Sequence, residues 1–148
     1  MKVGLLVSYG MMCGVADYGR SLFLALRGLG AEVAIFGSIG GNLLRPEWRA
    51  RELPRAVEED EGPVVRCFAA PLWSCRAGMD LALIMQEVKA RRISAMIIQY
   101  QNELFPDRPL HALLRWLREA RVRTVVTFHD SHLGKELPFP LGLAAVKV

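Results

Sequence analysis

Residues 2–36 read KVGLLVSYGMMCGVADYGRSLFLALRGLGAEVAIF, and the alternation within them decides the fold class. Lys2 to Ser8 opens with a nearly continuous apolar run, Val3, Leu5, Leu6 and Val7, which suits a strand covered by helices on both faces. Tyr9 to Gly14 is a glycine-punctuated turn. From Asp17 to Leu29 the apolar residues Tyr18, Leu22, Ala25, Leu26 and Leu29 recur at helical spacing, while Arg20 and Arg27 take the remaining surface. Gly28 and Gly30 end that helix. Ala31 to Phe36 then supplies a second strand through Val33, Ile35 and Phe36. A strand–helix–strand unit of this kind builds parallel sheets with right-handed crossovers.

The same alternation continues outward. Gly37 to Gly62 contains glycine, proline and the acidic run Glu58-Glu59-Asp60-Glu61, read as solvated loop with a short helix near Glu47–Ala56. Pro63 to Ala69 forms a third strand, and a helix from about Met79 to Arg92 buries Leu81, Ile84, Met85 and Val88. Ser94 to Gln101 carries Ala95-Met96-Ile97-Ile98, a buried strand run that turns abruptly polar. Asp107 caps the next helix, Pro109 fits its first turn, and Leu110, Leu113, Leu114, Leu117 and Ala120 form its stripe. Val122 to Phe128 is a fifth strand. The expected fold is α/β, a Rossmann-like doubly wound parallel sheet with strand order 3-2-1-4-5, occupying residues 1–148 as a single domain without internal repeats.

Composition agrees with that class and excludes others. The chain has 148 residues, 52% apolar and 23% charged, which is the balance of an ordinary globular domain. No apolar run approaches the ~18–20 residues that span a bilayer, and no secretory cleavage region follows Met1, so a cytoplasmic location is expected. Cys13, Cys67 and Cys75 lack zinc-ribbon or redox spacing and read as reduced thiols. The net charge of +4 comes mostly from dispersed arginines, and no nucleic-acid module accompanies it. Trp48 with Arg45, Arg49, Arg51 and Arg55 reads either as a solvated segment or as a peripheral contact for acidic lipid.

In an open α/β sheet the ligand crevice lies beyond the strand carboxyl ends, where connections diverge to opposite faces. Three polar segments coincide there: the turn after strand one, Gln99–Phe105 after strand four, and Thr127–His132 after strand five. Gly10 and Gly14 either let backbone N–H groups approach a phosphate at a helix N-terminus or simply make a tight turn. Asp17 reads as a helix-start residue or as an acid at the crevice. Gln99, Gln101, Asn102 and Glu103 offer donors and acceptors to a hydroxyl-rich ligand, with Tyr100 or Phe105 as an apolar face, or else form an ordinary polar loop. His129-Asp130-Ser131-His132 is an imidazole site beside a carboxylate or a polar strand exit. Neither metal-ligand spacing nor a nucleophile elbow is present, so no metal, cofactor or hydrolase triad is assigned.

Cys13-Gly14-Val15-Ala16-Asp17-Tyr18-Gly19-Arg20-Ser21-Leu22, with Gly28-Leu29-Gly30-Ala31-Glu32-Val33 after it, resembles the opening of a family-4 type retaining glycosyltransferase of the GT-B fold. Gln99 to Phe105 and Val125 to Asp130 resemble later landmarks of the same amino-terminal half, in the same order. The resemblance implies an acceptor-side domain that is itself incomplete, an apparently truncated amino-terminal half, with the carboxyl-terminal donor-binding domain absent from this chain. It implies transfer of a sugar from a nucleotide diphosphate sugar to an acceptor hydroxyl, without an essential metal, once a donor domain, from a separate polypeptide for instance, completes the enzyme. By the same resemblance Gly14 lies at the donor diphosphate, His129 is the reaction-centre contact on the donor sugar, and Asp17, Gln99 and Gln101 border the acceptor. The isolated chain is expected to be inactive. A noncatalytic carbohydrate- or nucleotide-binding module, or an inactive remnant, is the competing reading.

Overall fold

In a computed structural model, the described residues are 1–9, 14–38, 56–59, 62–69, 78–101, 107–129 and 145–147. They form β1 (Lys2–Leu6), α1 (Gly14–Gly28), β2 (Glu32–Ser38), β3 (Ala56–Glu59), β4 (Gly62–Ala69), β5 (Gly78–Met79) and α2 (Leu81–Ala90). After these come β6 (Ala95–Tyr100), α3 (Asp107–Glu119), β7 (Arg123–Phe128) and β8 (Ala145–Lys147). The sheet order is β3-β4-β2-β1-β6-β7-β8, with β5 paired to β4. All neighbours from β4 to β8 in that order are parallel. The order expected from sequence, 3-2-1-4-5, is therefore the β4-β2-β1-β6-β7 centre of the sheet.

The strand order reverses beside β1, so right-handed crossovers put α1 on one face and α2 and α3 on the other. Alternation along β1 fits this arrangement. Val7 points at α1, where a Cβ on Gly19 would come within 2.5 Å of Val7 Cγ2. Only glycine lets the helix approach the sheet so closely there. On the opposite face, Leu6, Phe36, Met96 and Ile98 are fully buried, and the apolar stripe Leu110, Leu113, Leu114 and Leu117 buries α3. Each such aliphatic side chain removed from water contributes roughly 1.5–3 kcal/mol before its entropy cost.

Several expectations need correction. The helix of residues 14–28 begins at Gly14, which places Asp17 in its first turn, and its buried residues are Val15, Ala16, Gly19 and Phe23. Tyr18 is 38% exposed and Leu29 85%. The close approach at Gly19 rotates the buried stripe away from these two. Part of the acidic run is strand rather than loop: Ala56–Glu59 pairs antiparallel with Gly62–Val65. An edge strand tolerates such charges because one side of it has no partner, and charge there discourages further pairing. Met79 belongs to β5, not to the following helix, because Asp80 is the N-cap and its Oδ1 accepts the Leu83 N–H at 3.0 Å. Strand β8 pairs with β7, covering the edge of the fifth expected strand. The short helix placed near Glu47–Ala56 lies outside the described residues, apart from Ala56, which is strand. So do the Asp107 side chain and the patch of Trp48, Arg45, Arg49, Arg51 and Arg55.

All three helices close on the same device. The Ala31 and Gly30 N–H groups donate to Leu26 and Arg27 carbonyls at 3.0 and 2.9 Å. Ile93 and Arg92 do the same to Val88 and Lys89, both at 3.0 Å, and Val122 and Arg121 to Leu117 and Arg118, at 2.9 and 3.1 Å. The second residue after each of these helices is left-handed: Gly30 at φ +80°, Arg92 at 55° and Arg121 at 57°. This 6→1 and 5→2 pairing is the Schellman motif, and it returns the chain to the sheet within a few residues. No described helix is long and apolar enough to cross a membrane.

Candidate functional site

Strand β6 carries an apolar run and then a polar end. Met96 and Ile98 are fully buried against the α3 side, and Gln99, next in the chain, is also fully buried. A buried amide is costly unless both its ends are satisfied. Here they are. Gln99 is in register with Thr127 of β7, and its Nε2 donates to Thr127 Oγ1 at 3.3 Å. Its Oε1 lies 2.7 Å from His129 Nε2.

His129 is held from two further directions. Its backbone N–H donates to the Tyr100 carbonyl at 3.0 Å, carrying the β6–β7 pairing one residue beyond β7. Its ring meets the Tyr18 ring of α1 edge-on, with centroids 5.0 Å apart and planes at 73°. Residues from α1, β6 and β7 thus converge at the carboxyl ends of the central strands, beside the reversal of strand order. That is the position where an open α/β sheet places its ligand.

The residues singled out from sequence fall into three groups. Gln99 and His129 are brought into direct contact, with Thr127 as their third member. Gly14 and Asp17 sit on the exposed first turn of α1. A Cβ on Gly14 would meet nothing within 4 Å, while the Asp17 carbonyl accepts the Ser21 hydroxyl at 3.0 Å. Gln101 is half-buried just past β6. Gly10, Asn102, Glu103, Phe105, Asp130, Ser131 and His132 lie outside the described residues, as do Cys13 and Cys75. Tyr100 does not offer a free face for a sugar: it is buried and its ring packs edge-on against Phe128 at 5.4 Å.

One member of the cluster was not apparent from the sequence, nor was one buried charge elsewhere on the sheet. Tyr18 fits the apolar periodicity of its helix, and only the rotated phase of that helix brings it to His129. Arg66, in the middle of an apolar strand, is 7% exposed and donates from Nη1 to the Ser38 carbonyl at 3.3 Å. It brings a buried cation to the carboxyl half of β4, next to the end of β2.

Cys67 is not a nucleophile. It is fully buried, with Sγ 3.8 Å from the Gly37 carbonyl. Burial pushes its thiol far above the ordinary 9.0, and the nearby Asp80 charge adds to the effect, so the thiolate is suppressed. No cluster of metal-ligand residues occurs among the described residues.

A second concavity, of about 470 Å³, opens at the opposite end of the sheet, lined by Lys2, Arg27, Glu32, Pro63 and Arg91 among others. Its charges have local roles. Lys2 pairs with Glu32 at 3.1 Å, Arg91 pairs with Glu87 at 2.8 Å, and the Arg27 guanidinium lies over the Phe23 ring at 5.6 Å. Arg27 and Arg91 also sit at helix C-termini, where cations complement the dipole. This cleft is chemically self-contained, and the carboxyl-end crevice is the better candidate.

Comparison of the chain with family models, curated proteins and solved structures found no match in any of the three.

Proposed function

We propose that this chain is the acceptor-side, amino-terminal domain of a GT-B type retaining glycosyltransferase, acting when a donor-binding domain completes it. The observation that carries the reading is the cluster of Gln99, Thr127, His129 and Tyr18 at the end of the sheet where α1 begins. A phenol and an imidazole recognise sugar hydroxyls, the buried Gln99 amide and Thr127 hydroxyl hold the imidazole in place, and backbone N–H groups at a helix N-terminus attract a diphosphate. Asp17 and Gln101 border the acceptor. His129 contacts the donor sugar at the reaction centre.

The chemistry asked of this half is positioning. Transfer requires the acceptor hydroxyl held near the anomeric carbon and the departing diphosphate stabilised, both of which fixed donors accomplish without a protein nucleophile. Residues facing a partly bare surface give further support to a domain that receives more structure. Leu5, Ile97 and Val125 are in register on the face of the sheet that α1 covers over β1. Leu5 is fully buried there, but Val125 remains 37% exposed.

The test is a transfer assay with the donor domain present, across a panel of nucleotide sugars, using the native partner or the native longer product. Transfer that depends on His129 supports the reading. A folded, completed assembly that neither transfers nor hydrolyses any nucleotide sugar contradicts it. The binding-module reading is favoured by the same neutral side-chain set, which suits recognition better than acid–base work. Saturable carbohydrate or nucleotide binding by the chain alone, with no turnover on completion, would select it. A cytoplasmic site of action with peripheral contact to acidic lipid belongs to the same proposal, and flotation on anionic against neutral vesicles tests it.

A further inference from the structure

We propose that Gln99 is a positioning residue that holds the His129 imidazole with its proton on Nε2. The inference deepens the site reading above, because it specifies what the ring presents to a ligand. With the amide oxygen turned to the ring and the amide nitrogen to Thr127, the ring nitrogen 2.7 Å from Gln99 Oε1 is the donor, because an amide oxygen only accepts. The other end of the amide is committed as a donor to Thr127 Oγ1 at 3.3 Å. Gln99 is fully buried, so water does not compete for either end.

The ring is placed before the amide acts on it. The Tyr100 carbonyl fixes the His129 backbone at 3.0 Å, and the Tyr18 ring edge limits rotation of the imidazole. At that position the tautomer protonated only on Nδ1 would set a nitrogen lone pair against the amide oxygen. The neutral ring is therefore held with its lone pair on Nδ1. The imidazolium keeps the same bond, so Gln99 fixes the orientation in both charge states. An amide does this without adding the negative charge that a carboxylate partner would bring. In this arrangement Gln99 itself is committed to Thr127 and His129, which moves it from acceptor contact to support of the ring.

Nitrogen-15 spectra of the histidine-labelled chain at a pH where the ring is neutral decide the matter, with His129→Asn identifying the signals against those of His111 and His132. The expected wild-type result is a protonated Nε2 and an unprotonated Nδ1. Gln99→Met, which keeps length but removes the acceptor, is expected to give a mixture of tautomers. Gln99→Glu, which restores an acceptor oxygen, is expected to return the proton to Nε2. A wild-type ring protonated on Nδ1 overturns the proposal, as does a Gln99→Met ring whose proton stays wholly on Nε2. The wild-type spectrum decides even if a variant fails to fold. Nucleotide-sugar binding on the same samples bears on the glycosyl-transfer reading alone: a ring in the expected tautomer that binds none leaves the role of Gln99 standing.

Discussion

The two ends of the sheet use their polar groups in opposite ways. At the amino ends, helices return to strands through the short connections 29–31, 91–94 and 120–122, each closed by a Schellman turn. The charges there are solvated: Lys2 and Glu32 have side chains 43% and 73% exposed. At the carboxyl ends, β6 leads into α3 through residues 101–106 and β7 into β8 through residues 129–144, while the polar groups at the strand ends, Gln99 and Thr127, are buried and hydrogen-bonded to each other. Exposed ion pairs cost and contribute little. A buried polar cluster is expensive to assemble, and in this sheet it sits where a ligand would use it. The concavity of about 470 Å³ at the amino ends is the one with less chemistry to offer.

The largest effect should come from the carboxyl end. With the donor domain supplied, His129→Ala is expected to lower transfer at least a hundredfold, about 3 kcal/mol of transition-state stabilisation, while the melting temperature holds within a few degrees. Equal activity would erase the distinction between the ends. The sheet interior should respond to pH instead. Because the Cys67 thiol is raised when folded, the unfolded chain binds fewer protons above its ordinary value of 9.0. Stability is thus unaffected below pH 9 and falls as pH rises past it, by up to about 1 kcal/mol per pH unit. Denaturant melts of wild type and Cys67→Ala between pH 8 and 10.5 should diverge only in the upper range, with the variant curve the flatter.

Smaller effects should mark the amino end. Arg121 occupies a left-handed conformation at φ 57°, so Arg121→Gly should stabilise the fold by about 0.5–1 kcal/mol, the relief of side-chain strain outweighing the extra freedom of the unfolded chain. Transfer should be unchanged. Smallest of all, Glu32→Gln should shift stability by no more than about 0.5 kcal/mol, and by less in high salt. A loss of transfer from either change would move the functional site to the wrong end.

The centre of the fold was legible because its signals are local and repeated. Four-residue apolar runs such as Ala95–Ile98, separated by helical stripes such as Leu110, Leu113, Leu114 and Leu117, need no tertiary information to be read. The added strands were not legible. Ala56-Val57-Glu58-Glu59 has the composition of a solvated segment and becomes a strand only because β4 offers it an edge, and Gly78-Met79 pairs for the same reason. At the site, the polar residues could be located but their partners could not. Nothing in the chain near Gln99 reports that Thr127 and His129 will stand beside it, since that follows from parallel register across α3. The exposure of Tyr18 likewise depends on how closely Gly19 approaches Val7. The GT-B proposal rests on the resemblance carried by residues 13–33, 99–105 and 125–130.

Ligand titration followed by amide resonances tests the central claim most directly, because every residue reports at once. With millimolar UDP-glucose and GDP-mannose, and with the donor domain present, the account predicts saturable shifts at Gly14, Tyr18, Gln99 and His129 and none at Lys2, Arg27 or Arg91. Shifts confined to the amino-end cleft, or none at the carboxyl end with any nucleotide sugar, would contradict it.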